Sequence, residues 1–174
     1  MIILGIDPGS RITGFGLINS RGNHSAMIEA GPIRLQKIED IGERLVVLAD
    51  TLEELITRHK PDAMALEKVF HGVNAKSTLV LGYARGVILL CAARHNLPVA
   101  EYAATEVKKA ITGFGRAEKT QIKEMVKILL KLEKDPKPHD VTDALAIALC
   151  HAHMGPIKAR IKEQEAKFWS RVKG

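Results

Sequence analysis

The chain has 174 residues, of which 46% are hydrophobic and 26% charged, a balance that predicts one soluble domain with a full core. No apolar run reaches the length of a membrane span. The apolar N-terminus contains Asp7 and lacks a basic leader, so we expect neither a membrane anchor nor a signal peptide. Cys91 and Cys150 lie far apart without CxxC spacing, which favours two reduced core thiols in a cytoplasmic protein over a disulfide or a metal site.

The first part of the chain predicts three strands. "MIILGI" is apolar throughout, which is typical of a central strand, and Pro8-Gly9-Ser10 marks the turn after it. "RITGFGLINS" is expected to be its hairpin partner, and "HSAMIEAGPIRL" a third strand with a bulge or a sheet edge at Gly31-Pro32. Gly14 and Gly16 are unusual inside a strand and indicate a close approach of backbone or of a ligand.

Helices and strands alternate in the rest of the chain. A helical apolar stripe runs through "EDIGERLVVLADTLEELITRHK", and "DAMALEKVF" contains a short strand that ends at Glu67. The pattern then predicts a helix over 74–95, a strand in "NLPVAEY", a short helix near 105–111, a basic helix in "AEKTQIKEMVKILLKL" and a core helix in "DVTDALAIALCHAH". This order predicts an α/β fold, with a mixed sheet covered by helices.

The net charge of +6 is unevenly distributed. Residues 108–137 contain nine Lys or Arg against four Asp or Glu, and residues 155–174 contain six against two. The rest of the chain is therefore mildly acidic. A basic half of this kind indicates a polyanionic partner, although solvated helix faces explain the charge alone equally well.

Four acidic residues occupy positions where the side chains of one site would meet. Asp7 ends the first strand and Glu67 ends the fourth. If these strands are parallel neighbours, both carboxylates emerge at one edge of the sheet, where active sites of open α/β sheets lie. Asp140 and Asp143 are three residues apart at the start of the last core helix and therefore share one helix face.

Each of these acids also has a purely structural explanation. Asp140 and Asp143 match a helix N-cap and its N3 partner, Asp7 in "DPG" matches the start of a turn, and Glu67 matches a surface charge at a strand end. Taken one at a time, these explanations are the commoner ones. Taken together they are weaker, because Asp7 and Glu67 end the most apolar strands in the chain.

A divalent cation would explain such a cluster. Two carboxylates about 4 Å apart repel by roughly 4 kcal/mol at an effective dielectric near 20, and a hard cation reverses that repulsion. Few Cys or His lie near the four acids in the sequence, which favours Mg²⁺ or Mn²⁺ over zinc. Two such ions about 4 Å apart activate a water and stabilise the leaving oxygen in an attack on phosphorus. The basic half of the chain would then hold the phosphate backbone.

Five stretches together resemble the RuvC crossover-junction endonucleases in order and spacing, from residue 1 to about residue 153: "GIDPGSRITGFG", "ALEKVF", "NAKSTLVLGYARGV", "EYAATEVKKAITGFGRAEKTQ" and "HDVTDALAIALCH". The resemblance implies an RNase H-like fold with a mixed five-stranded sheet flanked by helices. We expect the nuclease domain over residues 1–154 and a basic C-terminal tail over residues 155–174.

The resemblance also implies an activity and partners. Members of the family are homodimers that resolve four-way Holliday junctions in recombination and DNA repair. They make paired, symmetric nicks that leave 5′-phosphate and 3′-hydroxyl ends. The implied cofactor is Mg²⁺, two ions per active site, with Mn²⁺ as a substitute. The implied partners are four-way junction DNA and the branch-migration proteins RuvA and RuvB, in the cytoplasm. DNA is then the ligand expected beside Gly14 and Gly16.

By the same resemblance, the site residues fall into three groups. Catalytic and metal-binding roles fall on Asp7, Glu67, Asp140 and Asp143. Catalytic roles near the scissile phosphate fall on Lys108 and Lys119. Contact with the opened junction falls on Phe70, and further DNA contacts are expected at Arg11, Lys76, Lys109, Arg116 and Lys123.

Two positions depart from the family pattern. Some members carry His at the third ligand position. Here the three-residue spacing from Asp143 selects Asp140 as the ligand. His139 is then left as a residue that contacts a metal ligand and does not bind the metal itself. Lys68 stands where members often have Gln.

The helix over 74–95 is the predicted dimer contact. A stripe of small and apolar residues follows helical spacing: Ala75, Leu79, Gly82, Gly86, Leu90 and Ala93, with Leu89 beside it. Tyr83 and Arg85 are expected to reach across to the second copy. The alternative is that this helix only covers its own sheet.

Three other functions stay open at this point. An ATPase of the actin and heat-shock type also begins with an Asp-x-Gly hairpin, but needs two lobes. A YqgF-type nuclease of the same fold would act on RNA. A DNA-binding module without catalysis would use the carboxylates structurally.

Overall fold

Strand β1 (Ile2–Asp7) is the middle strand of a five-stranded sheet in the computed structural model, which describes residues 1–68 and 75–172. The other strands are β2 (Ile12–Arg21), β3 (His24–Arg34), β4 (Ala63–Glu67) and β5 (Val99–Tyr102), and the order across the sheet is β3-β2-β1-β4-β5. β1 is antiparallel to β2 and parallel to β4. The prediction of a mixed five-stranded sheet is confirmed, and β3 is an edge strand, as Gly31-Pro32 indicated.

Helices cover both faces of this sheet. Helices α1 (Ile41–His59) and α2 (Ala75–Arg94) share one core with Leu4 and Ile6 of β1. Helices α3 (Ala104–Thr112), α4 (Lys119–Leu129) and α5 (His139–Val172) share the other core with Ile3 of β1 and Ala65 of β4. Side chains alternate between the two faces of a strand. Asp7 lies four residues after Ile3 and Glu67 two residues after Ala65, so both acids lie on the α5 face of the sheet.

Helix α5 packs against β1 and β2 at backbone distance, because glycines of both strands face it. A Cβ atom on Gly5 would lie 2.2 Å from the carbonyl oxygen of Ala144, and one on Gly14 would lie 2.0 Å from that of Asp140. A Cβ atom on Gly16 would lie 2.7 Å from the side chain of Leu145. The expectation that DNA approaches Gly14 and Gly16 is therefore wrong: the space that these glycines leave is filled by α5.

Helix α5 is also longer than the sequence pattern predicts. Its backbone stays helical through Pro156 to Val172, where we expected a separate polar tail from residue 155. The apolar repeat ends near residue 154, but the segment beyond it is rich in Ala, Lys, Glu, Gln and Arg, which have high intrinsic helix propensity. No break in secondary structure therefore marks the predicted domain boundary at residue 154.

Candidate active site

The β1–β2 turn fixes Asp7 at the end of the central strand. The hydroxyl of Thr13, which is fully buried, donates to the carbonyl oxygen of Gly9 over 3.2 Å and accepts from the Gly9 amide over 3.4 Å. A Cβ atom on Gly9 would lie 1.9 Å from the carbonyl oxygen of Ile12, so only glycine fits this turn. Asp7 thus belongs to a closed hairpin and not to a loose loop. Sequence reasoning missed Thr13, although a Thr beside a Pro-Gly turn is a recognisable turn signal.

Glu67 lies next to Asp7 because β4 is the parallel neighbour of β1. The register pairs Ile6 with Leu66, so Asp7 and Glu67 are the next residues of their strands, at the same edge and on the same face of the sheet. The condition that the sequence argument left open, that the first and fourth strands are parallel neighbours, is confirmed.

The first turn of α5 supplies the other two acids. The helix begins at His139, so Asp140 is its second residue and not the cap that precedes it. Gly14, which pairs with Asp7 in the β1–β2 register, is also the glycine that admits the Asp140 carbonyl. The tight contact between Gly14 and α5 therefore brings the helix start to the residue opposite Asp7.

The four acids act on one another electrostatically. The pKa of Asp7 is raised to about 8, first by burial and then by the negative charges of Asp143, Glu67 and Asp140, while Lys119 opposes the shift. The pKa of Glu67 is raised by burial and by Asp143, and that of Asp143 by burial and by Asp140. Bringing these carboxylates together therefore costs free energy in the metal-free protein.

Two lysines reach the same cluster from α3 and α4. A pocket of about 270 Å³ is lined by Glu67, Asp143, Lys108 and Lys119, with apolar side chains of α3, α4 and α5 around them. The charge of Lys119 opposes the burial-driven rise in the pKa of Asp7, Glu67 and Asp143, and Lys108 does so for Glu67. The structure thus gathers both lysines with the acids, a grouping that the sequence indicated only through the family resemblance.

The donor set suits a hard divalent cation. Within residues 1–68 and 75–172, no three Asp, Glu, His or Cys side chains are gathered tightly enough to enclose a metal ion by themselves. Mg²⁺ does not need such a cage, because it usually keeps several waters and takes only one or two carboxylates. The half-buried, mutually repelling carboxylates of Asp7, Glu67 and Asp143 fit an ion of this kind better than zinc.

The remaining predicted site residues lie in different surroundings. His139 is the exposed first residue of α5. Burial raises the pKa of Asp143, and the charges of Lys119 and then His139 work against that rise. The side chains expected to contact DNA are exposed at Arg11, Lys109 and Arg116. Lys123 forms an ion pair with Asp135 at 2.6 Å, so contact with a phosphate there requires breaking that pair. Phe70 and the side chain of Lys76 lie outside the described residues.

Arg85 does not extend from the exposed face of α2, as we expected of a residue that reaches a second copy. Its Nη1 atom donates to the main-chain carbonyl oxygen of Glu67 over 3.1 Å, and its Nη2 atom is ion-paired with Glu101 of β5. The expectation failed because Arg85 lies three residues before the buried Ile88 and therefore shares a helix face with it, at the margin of the buried stripe of α2.

Helix α2 has one buried and one exposed apolar face. Ala84 and Ile88 pack on the sheet, whereas Leu79 and Leu90 are 56% and 52% exposed. Added Cβ atoms on its two glycines, Gly82 and Gly86, would meet nothing within 4 Å. Contrary to the expectation that no apolar run reaches the length of a membrane span, Ser77–Arg94 is long and apolar enough to cross one, although a single such helix is weak evidence of a span. One face of the helix therefore covers the sheet and the other is open, and the dimer contact expected there stays a prediction.

The mixed five-stranded sheet with helices on both faces is an RNase H-like fold, and the comparisons with known proteins make this chain a nuclease of that class. The family model described as "Crossover junction endodeoxyribonuclease RuvC" matches residues 3–151. The chain belongs to this family.

Individual relatives agree with that membership. A crossover junction endodeoxyribonuclease RuvC from Moorella thermoacetica is 49% identical over 163 residues, which cover 94% of this chain and 98% of the relative. The one from Alkaliphilus oremlandii is 48% identical, covering 89% of this chain and 94% of the relative. The solved structure of T. thermophilus RuvC in complex with a Holliday junction substrate matches with a TM-score of 0.87 at 31% identity, covering 91% of this chain and 96% of that one.

Proposed function

We propose that this chain resolves four-way Holliday junctions as a homodimer, by metal-dependent phosphodiester hydrolysis in recombination and DNA repair. Membership of the family supports the nuclease activity, and the structure of the T. thermophilus relative with its junction supports the substrate. The observation that carries the proposal is the geometry of the acids: Asp7 and Glu67 end neighbouring parallel strands, and the start of α5, with Asp140 and Asp143, packs against the same edge of the sheet. Burial and the three neighbouring carboxylates raise the pKa of Asp7 to about 8. A bound divalent cation would favour the charged forms of these acids, which accounts for their being gathered at one place.

The identity of the cation and the number of ions per site are also part of the proposal. Metal dependence is a property of the family, and we infer Mg²⁺, two ions per site, from the oxygen-only donors Asp7, Glu67, Asp140 and Asp143. When bound, such ions supply an activated water and stabilise the leaving oxygen. In the hydrolysis, water adds to phosphorus and the bond between phosphorus and the 3′ oxygen breaks. The 3′ oxygen takes a proton, which leaves 5′-phosphate and 3′-hydroxyl ends.

The two lysines supply fixed positive charge at this site. Lys108 and Lys119 line the pocket opposite Glu67 and Asp143, and their ammonium groups offset the carboxylate charge there. Once cations neutralise the acids, these ammonium groups are free to face a phosphate. Negative charge grows on the phosphate oxygens in the transition state, so fixed positive charge at this place stabilises it.

The homodimer follows from the reaction and from α2. One chain holds one group of acids, whereas resolution needs two nicks related by a two-fold axis, which an isologous dimer supplies. The open face of α2, with Leu79, Tyr83 and Leu90 exposed and two glycines that let backbones approach, supports this contact. Cooperation with RuvA and RuvB, and a cytoplasmic location, are part of the proposal through family membership.

The direct test is single-turnover cleavage of a synthetic four-way junction, with Mg²⁺ or with chelator. We expect two symmetric nicks, with 5′-phosphate and 3′-hydroxyl ends, only when Mg²⁺ is present. Cleavage of an RNA hairpin but not of the junction would favour the YqgF-type activity. Junction binding with no cleavage under any divalent cation would favour a DNA-binding module.

A further inference from the structure

Arg85 lies on α2 at the boundary between the sheet and the open face of that helix. It follows Ala84, which is buried, and precedes Gly86, which has open space around it. Its side chain is 19% exposed. A charged side chain this deeply placed must have its polar groups satisfied by definite partners.

Both partners of the guanidinium are at the carboxyl ends of parallel strands. One nitrogen donates to the main-chain carbonyl oxygen of Glu67, and another pairs with the carboxylate of Glu101. Glu101 is opposite Leu66 in the β4–β5 register, so the two contacts are adjacent on neighbouring strands. The planar, forked guanidinium bridges these two points in a way that a single ammonium group cannot.

We propose that Arg85 is a positioning residue for Glu67, and that it joins the helix of the dimer contact to the catalytic strand. This inference rests on the proposed function. Burial raises the pKa of the Glu67 carboxyl, and the cations that oppose the rise are Lys119 and Lys108. Arg85 instead contacts the main chain of Glu67, so it helps to hold the end of β4, where the sheet places that residue. Because Arg85 also sits on α2, a shift of that helix at the dimer contact shifts the anchor of Glu67.

The test compares Arg85→Ala, Arg85→Lys and Glu101→Gln with the parent dimer. Arg94→Ala is the matched control, since Arg94 lies on the same helix and pairs with Glu53 at 3.8 Å, away from Glu67. Four quantities are measured: the single-turnover cleavage rate, junction affinity in chelator, sedimentation, and the Mg²⁺ concentration that gives half of the rise in melting temperature without DNA.

We expect Arg85→Ala to cleave at least about tenfold more slowly, with junction affinity within about threefold of the parent and the dimer intact. The Mg²⁺ requirement for the melting shift should rise severalfold, because a displaced Glu67 is a poorer ligand. Arg85→Lys should be intermediate, Glu101→Gln should show a smaller defect of the same kind, and Arg94→Ala should match the parent.

Four results would overturn the inference. Arg85→Ala cleaving at the parental rate would show that Glu67 needs no such anchor. Junction affinity falling in step with the rate would make Arg85 a phosphate contact, and loss of the dimer would make it a contact between copies. If Arg85→Ala does not fold, parental rates in both Arg85→Lys and Glu101→Gln would overturn it. A parent that fails to cleave junctions contradicts the proposed function instead.

Discussion

Asp7 and Glu67 end two strands that are parallel, hydrogen-bonded neighbours, and both belong to the sheet face that α5 covers. Neither acid lies on a loop, so their separation is set by the spacing of a β-sheet. Rigid placement of this kind holds ligands in position, but it also prevents the acids from moving apart to relieve their repulsion. The carboxylates therefore repel one another at a separation that the fold does not let them increase.

Metal-free protein should lose stability as the pH rises from about 5 to 7. Asp7 has a pKa of about 8 in the folded state against 3.8 as its ordinary value, so over this range the folded state holds a proton that the unfolded state has released. Stability then falls by up to about 1.4 kcal/mol per pH unit from this group. Urea unfolding in chelator at several pH values should show a shallower slope for Asp7→Asn. Equal slopes would contradict the burial of a repelled carboxylate at this position.

Mg²⁺ should raise the melting temperature in the absence of DNA, because it relieves the repulsion among the acids and binds only the folded state. Asp7→Asn should melt higher than the parent in chelator and respond less to Mg²⁺. It should abolish cleavage while keeping junction binding, since it removes a ligand charge and preserves shape. A parent whose melting is indifferent to Mg²⁺ would argue against the acidic cluster as a metal site.

Lys119→Ala should reduce the cleavage rate more than the junction affinity. Lys119 offsets the carboxylate charge of three acids, whereas Lys127, farther along α4, is 3.4 Å from Asp135. Lys127→Ala is therefore the matched control for a lysine on the same helix. Rates and binding curves over a salt series separate the two roles. If both variants lose affinity and salt dependence alike, Lys119 is a general backbone contact.

Gly14→Ala should impair cleavage and stability together. The added methyl group would meet main-chain atoms of Asp140 and Val141, so the start of α5 must move away from Asp7. Overpacking of this kind costs about 1–3 kcal/mol or more. Gly115→Ala is the control, because its Cβ atom would lie 3.6 Å from its nearest neighbour, an ordinary contact. Parental activity in Gly14→Ala would show that the α5 acids tolerate displacement.

Gly82→Leu or Gly86→Leu should produce a folded monomer. An added Cβ atom on either glycine would meet nothing within 4 Å in the single chain, so we expect a leucine there to fit the fold and to block only a second copy. Leu also improves helix propensity by roughly 1 kcal/mol over Gly. Sedimentation at micromolar concentration should show the parent as a dimer and the variants as monomers that cannot make paired nicks. Val46→Ala, on the exposed part of α1, should stay dimeric. Dimeric variants would place the contact elsewhere.

The acids on the sheet were predictable because their evidence is local. Apolar runs that end at Asp7 and Glu67 define both the strands and their ends, and the alternation of side chains then fixes the face. The spacing of Asp140 and Asp143 likewise follows from helix geometry. What the pattern lacked was the partner of each element: it left open whether β1 and β4 were neighbours.

The features that sequence reasoning missed depend on contacts between distant segments. Gly14 and Gly16 signalled a close approach, but only the packed structure shows that α5 is what approaches. Arg85 has the spacing of an interface residue, yet its guanidinium turns toward Glu67 and Glu101 because the strand ends offer an acceptor and a counter-charge. The extension of α5 to Val172 could not be predicted from an apolar repeat, because residues with high helix propensity continue the helix where that repeat ends.

The glycines beneath α5 also set how closely this helix approaches the sheet. Where Gly5 meets Ala144 and Gly14 meets Asp140, the nearest atoms of the helix are main-chain carbonyl oxygens. The gap between the sheet acids and the helix acids therefore depends little on the size of core side chains that do not touch these glycines, such as Leu149 and Ile122. Trimming those residues should cost stability as cavities form while leaving the spacing of the carboxylates almost unchanged. Such core side chains can therefore change without altering the geometry of the acidic site.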